Sequence, residues 1–297
     1  PWCYLMQFDK PAAVMSICAP TQDAVFEVGG QTYVNLWRPD RVPALATDAE
    51  YAEAAPHVAA VVEWFTTVFP DQREREILLS WLAHNARTPG VKVGWSPYIY
   101  SRSQGVGKTA LSHLMAAIMG GGVGYRKGAA LSSRFSGWEV ENALVLLDEF
   151  TTQRATNDGV DPAENLKVLI TGHTAAIERK GVDTIEAPTY CNVMLAANNL
   201  HGIRVTDQDR RLFYVSSPLD GEEAKALVTS RLFDRVYDAM RYAPGALRRW
   251  LLELPVHPEF GVQRRAPETN TRSEAIEESK SDLRSEVEDL LEEGGPG

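Results

Sequence analysis

One eight-residue segment narrows the possible folds more than any other feature of the chain: Ser103-Gln104-Gly105-Val106-Gly107-Lys108-Thr109-Ala110. Before it, Tyr98-Ile99-Tyr100 reads as the end of a strand; after it, Thr109 to Met119 reads as a helix closed by Gly120-Gly121-Gly122. Glycines in such a loop let backbone N–H groups wrap closely around a phosphate. The helix N-terminus adds a favourable dipole, Lys108 can reach terminal phosphates, and the Thr109 hydroxyl can ligate Mg²⁺. The full G-x-x-x-x-G-K-[ST] pattern is broken at its first position, where Arg102 stands in place of glycine. That substitution leaves Gly-x-Gly-Lys-Thr whole and puts the entry turn in question.

A strand that opens such a loop needs others beside it. Ala143 to Leu147 is wholly apolar, the pattern of a strand buried on both faces, and Val193 to Ala196 repeats it. Ala163 to Ile170 has helical spacing between them. Alternating strands and helices predict an α/β fold, a mostly parallel central sheet flanked by helices. The boundaries read as a β/helical lead-in over 1–90, a nucleotide-hydrolase core over 91–218, a C-terminal helical segment over 219–265 and an acidic helical tail or linker over 266–297. Within the lead-in, Gly29-Gly30 predicts a hairpin turn. Val58, Val61, Val62, Phe65 and Val68, then Ile77, Leu78, Trp81 and Leu82, predict a helical pair.

The strand over Ala143 to Leu147 ends in Asp148-Glu149, forty residues beyond Lys108. Taken alone, two acids at a strand end are ordinary solvated side chains. Together with the phosphate loop, the first is expected to complete the Mg²⁺ shell with Thr109 and the second to orient an attacking water. The strand over Val193 to Ala196 leads to Asn198, whose amide could hold that water against the γ-phosphate. Arg210 and Arg211 follow on the approach to another strand. Either could serve as an arginine inserted into a neighbour's site, or pair at home with Asp207 or Asp209.

The rest of the composition limits partners. The net charge is −10, and the last 34 residues carry 5 basic against 10 acidic side chains. A surface coated in DNA would be basic, so any nucleic-acid contact must be local. Three scattered cysteines predict no disulfide framework and no zinc site. With no signal peptide and no apolar run long enough to span a bilayer, a cytoplasmic location is expected. The chain begins at Pro1, which suggests a fragment of something longer.

In this order, phosphate loop, Asp-Glu strand, hairpin, Asn strand and Asp-Arg-Arg, the chain resembles superfamily 3 helicases, a branch of the AAA+ ATPases. More closely it resembles the helicase half of phage and plasmid primase-helicases, related to the poxvirus type. The resemblance is strong over 95–218 and loose beyond it, where Asn35-Leu36-Trp37-Arg38-Pro39 and Ala266-Pro267-Glu268-Thr269 carry it. It implies ATP and Mg²⁺ as cofactors, a hexameric ring around single-stranded DNA, and a primase or polymerase domain in the full-length chain, working in the host cytoplasm if phage-encoded. It makes Asn198 the sensor and leaves Arg210 and Arg211 equal candidates for the finger. It also makes Arg179, Lys180 and Gly181 the tip of a DNA-gripping hairpin, where Gly181 permits a tight turn and two cations can meet phosphates. The alternatives are a nucleotide-controlled initiator or switch that does not unwind DNA and, less well supported, a P-loop phosphotransferase. Glu149 speaks against the last, because it serves a water rather than an acceptor hydroxyl.

Overall fold

The computed structural model describes residues 13–132, 137–149, 162–179, 182–200, 210–263 and 265–277. It opens with β1 (Met15–Ile17), β2 (Val25–Val28) and β3 (Gln31–Asn35), a small sheet in which β3 lies between a parallel β1 and an antiparallel β2. The β2–β3 connection is Gly29-Gly30, with φ of 60° and 76°. Two successive positive φ values make the tight turn whose twist suits a hairpin, and glycine supplies them without strain.

Three helices follow: α1 (Asp48–Glu53), α2 (Ala55–Val68) and α3 (Gln72–Arg87). Thr47 and Glu50 form a capping box on α1, and the Asp71 carboxylate accepts from the Glu74 N–H at the start of α3. The chain then alternates through β4 (Ser96–Ser101), α4 (Lys108–Met119), β5 (Val123–Lys127), α5 (Trp138–Glu141), β6 (Leu144–Asp148) and α6 (Pro162–Thr171). The antiparallel pair β7 (Thr174–Arg179) and β8 (Val182–Pro188) comes next, then β9 (Asn192–Ala197) and β10 (Leu212–Ser217). The helices α7 (Gly221–Thr229), α8 (Leu232–Tyr242) and α9 (Pro244–Glu253) complete the series.

The central sheet has five strands in the order β10-β4-β9-β6-β5, every neighbouring pair parallel. Its apolar runs are apolar because both faces are covered. Leu144 and Leu146 point with Ile99, Met194 and Phe213 into a core shared with α2, α3, α4, α8 and α9. Val145 and Leu147 point the other way, with Tyr98, Leu195 and Tyr214, against Leu166, Leu169 and Ile170 of α6. A third core joins β1–β3 to the β7–β8 hairpin through Ile17, Phe26, Tyr33, Ile177 and Ala187.

Two buried polar fasteners fix how the pieces meet. Asn192, at the start of β9, accepts from the Val93 N–H at 2.8 Å and donates to Asn85 Oδ1 at 2.8 Å and the Val91 carbonyl at 2.9 Å. Buried amides so satisfied lock α3 to the sheet. Lys92 donates to the carbonyls of Leu169 and Gly172 at 2.6 and 2.7 Å, closing the C-terminal end of α6 just before β7. Burial draws the Lys92 ammonium down to about 8. No helix among the described residues is long and apolar enough to cross a membrane.

The acidic tail packs against the sheet at its start. Residues 270–277 are helical, and Ala266, Thr269, Thr271, Ala275 and Ile276 are buried, with Thr271 Oγ1 donating to Ser216 Oγ at 2.9 Å. Ile276 belongs to the core that holds Tyr98 and Tyr214.

This packing encloses Glu74, which is 8% exposed. Burial, first, and the Asp71 and Glu274 charges push its carboxyl up to about 7, against the Ser216 N–H and Arg73, which favour ionisation. The folded chain therefore binds a proton that the unfolded chain releases near 4.5. Stability from this group is fully present at low pH and is lost as pH rises from about 4.5 to 7. Glu74→Gln is expected to abolish that loss, making the variant more stable than the wild type at pH 8 by up to about 3 kcal/mol. At pH 4 the two should converge. Chemical denaturation at both pH values checks it, and a gap independent of pH would contradict it.

Candidate nucleotide site

Three neighbouring strands, β4, β9 and β6, bring their carboxyl ends to one rim. Tyr100 pairs with Ala197 and Asp148 with Ala196, so the loop after β4, Asn198 and the Asp148-Glu149 pair face one another. Ligands of parallel sheets sit at this rim, where helix N-termini also point. Here they surround a cavity of about 370 Å³, lined by Gln104 to Ala110, Asp148, Glu149, Asn198, Val228, Phe233 and Tyr237.

Gly105 and Gly107 take φ of 88° and 90°, and Gly107 is the residue from which α4 starts. An L side chain rarely adopts that backbone, so glycine is required at both bends. Arg102 takes no positive φ, and its Nε donates to the Tyr100 hydroxyl at 3.0 Å. The entry turn is thus made without the missing glycine. Ser103 faces the scaffold, its hydroxyl donating to the Leu219 carbonyl at 2.9 Å.

Lys108 lies 9% exposed, and its ammonium donates to the Ser101 carbonyl at 3.4 Å and to Asn198 Oδ1. Burial draws it below the ordinary lysine value, while Asp148 and Glu149 pull it back up. Lys108, Asn198 and both acids therefore belong to one electrostatic unit. Asp148 accepts from the Tyr125 hydroxyl at 2.7 Å, and the Thr109 side chain stands near enough to that hydroxyl to favour its ionised form slightly. The two oxygens expected to hold Mg²⁺ are thereby gathered around one point. Among the described residues there is no cluster of three or more His, Cys, Asp or Glu that could cage a metal. A hydroxyl and one carboxylate, completed by substrate phosphates and water, suit Mg²⁺, which favours such sparse oxygen sites.

Glu149 has φ of 55°, one of two non-glycine residues described with a positive value. Such backbone costs on the order of 1–3 kcal/mol and collects at functional sites. Its carboxylate pairs with Lys127 at 3.0 Å, both side chains more than half exposed. An exposed pair of this kind is worth little and is easily exchanged.

The remaining predicted residues lie elsewhere. Leu212 is opposite Ser96 and Ser217 opposite Ser101, so the start of β10 is roughly 15–20 Å of strand away from the phosphate loop. Arg210 and Arg211 sit at that far end. Arg210 is exposed and its carbonyl accepts from the Ala266 N–H at 2.9 Å; Arg211 is half-buried, its carbonyl accepting from the Ser96 N–H at 2.8 Å. Neither enters the site of its own chain. The hairpin has Arg179 at the end of β7, opposite Val182; Lys180 and Gly181 lie outside the described residues.

Sequence reasoning missed Tyr125, Lys127, Val228, Phe233 and Tyr237. The first two stand on β5, whose place beside β6 is a matter of strand order. The others come from α7 and α8, over a hundred residues past the loop. The amphipathic spacing of those helices marks a buried face without saying what it faces.

Comparison with known proteins bears on the fold and on the longer protein to which such a chain is similar. Residues 99–211, from β4 through the arginine pair, match the model of a family of unknown function, DUF5906. The DNA primase-polymerase of Nitratiruptor phage NrS-1 is 22% identical over 205 residues, covering 65% of this chain and 26% of that protein. The chain thus spans about a quarter of its curated relative. The apo structure of the NrS-1 C-terminal region (305–718) superposes with a TM-score of 0.65 at 20% identity, over 89% of this chain and 60% of that one. A second form of the same region gives 0.60 at 19% identity, covering 94% of this chain and 66% of that one. The chain is therefore similar in sequence to part of a phage primase-polymerase, and it shares the fold of the NrS-1 C-terminal region.

Proposed function

We propose that this chain is an ATP-hydrolysing motor, a ring helicase unit that moves along single-stranded DNA during phage- or plasmid-type replication. The observation that carries the reading is the meeting of the phosphate loop, Asp148, Glu149 and Asn198 around one cavity at adjacent strand ends. The N–H groups of the loop and of the first turn of α4 bind the phosphates, and Lys108 neutralises the charge that develops on them. Thr109 and Asp148 would hold Mg²⁺, which would supply positive charge against the phosphates. Glu149, freed from Lys127, orients a water and accepts its proton, and Asn198 fixes that water from the other side.

Charge on the transferring group still lacks a cation from outside. Arg210 and Glu149 lie at opposite ends of the sheet and toward opposite edges, since β10 and β5 are the outer strands. One copy can thus offer Arg210 to the next only head to tail, an arrangement that builds a ring where the rotation between copies closes. Its exposure makes Arg210 the residue we assign to that role, with half-buried Arg211 as its support. The similarity to a primase-polymerase supports placing the motor in a longer replication polypeptide.

The Lys127–Glu149 pair favours a second reading, an ATP-controlled switch in which hydrolysis waits for assembly rather than for DNA. Steady-state hydrolysis of Mg·ATP, at protein concentrations high enough for assembly, separates the two. The motor predicts roughly tenfold or greater stimulation by single-stranded DNA. Hydrolysis indifferent to DNA would overturn the motor in favour of the switch.

A further inference from the structure

The phosphate loop is held from behind by a side chain that belongs to none of the nucleotide motifs. Trp64 lies on α2, in the segment the sequence sets apart as a lead-in, and is fully buried. Its indole Nε1–H donates to the Val106 carbonyl at 3.1 Å, 42 residues away along the chain. A Cβ on Gly107 would stand 2.8 Å from the same indole nitrogen and 2.5 Å from Phe233 Cε1. The rings of Trp64 and Phe233 meet edge to face, centroids 6.1 Å apart. Outside them Arg235 of α8 grips Glu63 of α2 through two bonds of 3.0 Å.

The consequence follows from the peptide bond. A trans peptide is planar, so its C=O and N–H point in opposite directions. With the Val106 carbonyl drawn inward to the indole, the N–H of Gly107 is turned outward, toward the cavity. Left to itself, a loop with two glycines would sample both orientations of that peptide.

We propose that Trp64 is a positioning residue of the nucleotide site, fixing the Val106–Gly107 peptide so that its N–H meets a phosphate. Phe233 holds the same bend from α8 while lining the cavity, so α2 and α8 together set the shape of the loop. The inference rests on the nucleotide reading above and adds to it a residue outside the 91–218 core. A tryptophan serving the core alone would affect stability; one that orients the loop affects nucleotide affinity.

The test replaces Trp64 in the full chain by benzothienylalanine, which keeps the bicyclic shape and has sulfur in place of N–H, with Trp64→Phe as a second variant. Affinity is read by titrating a fluorescent N-methylanthraniloyl ATP with Mg²⁺. Turnover at saturating ATP and thermal melting are read alongside. The expected result is a dissociation constant raised about five- to twentyfold, with turnover within about twofold of wild type and melting nearly unchanged for the shape-conserving variant. Wild-type affinity in both variants would overturn the proposal, as would affinity, turnover and melting all falling together. A wild-type chain that fails to bind the fluorescent ATP would refute the nucleotide reading itself and this inference with it.

Discussion

Lys108→Ala is expected to bring ATP turnover down by at least about a hundredfold and to weaken nucleotide binding by a similar factor. The ammonium is almost entirely enclosed, which makes each charge-assisted bond from it worth more than one in water. Removing one well-placed donor to a developing oxyanion costs about 10²–10³ in rate in other systems. The folded state should survive the change, because burial already disfavours the charged lysine and its loss leaves only Ser101 O and Asn198 Oδ1 to be rehydrated. Nucleotide titration, with circular dichroism as a check on folding, measures the effect. Affinity within twofold of wild type would remove the phosphate assignment.

Glu149→Gln should separate binding from chemistry. Glutamine keeps the size of the side chain but cannot take a proton from water, so turnover is expected to fall about 10²- to 10⁴-fold. Nucleotide affinity should stay within a few-fold, because the role proposed for Glu149 is toward the water rather than the phosphates. The ion pair to Lys127 is lost as well, but both side chains are largely exposed and the pair contributes little to stability. Single-turnover hydrolysis with bound nucleotide decides the point. An unchanged rate would show that another residue positions the water.

These two residues were legible in the sequence because their chemistry is local. Gly105, Gly107, Lys108 and Thr109 are contiguous with the strand and helix that present them, and Asp148-Glu149 ends an apolar run that can only be a buried strand. The parallel sheet and the β2–β3 hairpin at Gly29-Gly30 were legible for the same reason. What could not be read was whatever depends on strand order or on distant packing. Tyr125 and Lys127 reach the site because β5 pairs with β6, with Lys127 directly opposite Asp148. Trp64 and Phe233 reach it through the contact of α2 with α8. The burial of Ala275 and Ile276 likewise arises from the sheet face they cover, and the acidic composition around them pointed to solvent instead.

On the proposed reading, one triphosphate binds at the shared rim of β4, β9 and β6. A crystal structure of the chain with Mg²⁺ and a non-hydrolysable ATP analogue tests it most directly. The predicted result has the β- and γ-phosphates on the N–H groups of Gly105 to Thr109, Lys108 moved from Asn198 onto the γ-phosphate, and Mg²⁺ on Thr109 and Asp148. An analogue bound elsewhere, or phosphates that leave Lys108 on Asn198, would contradict the account.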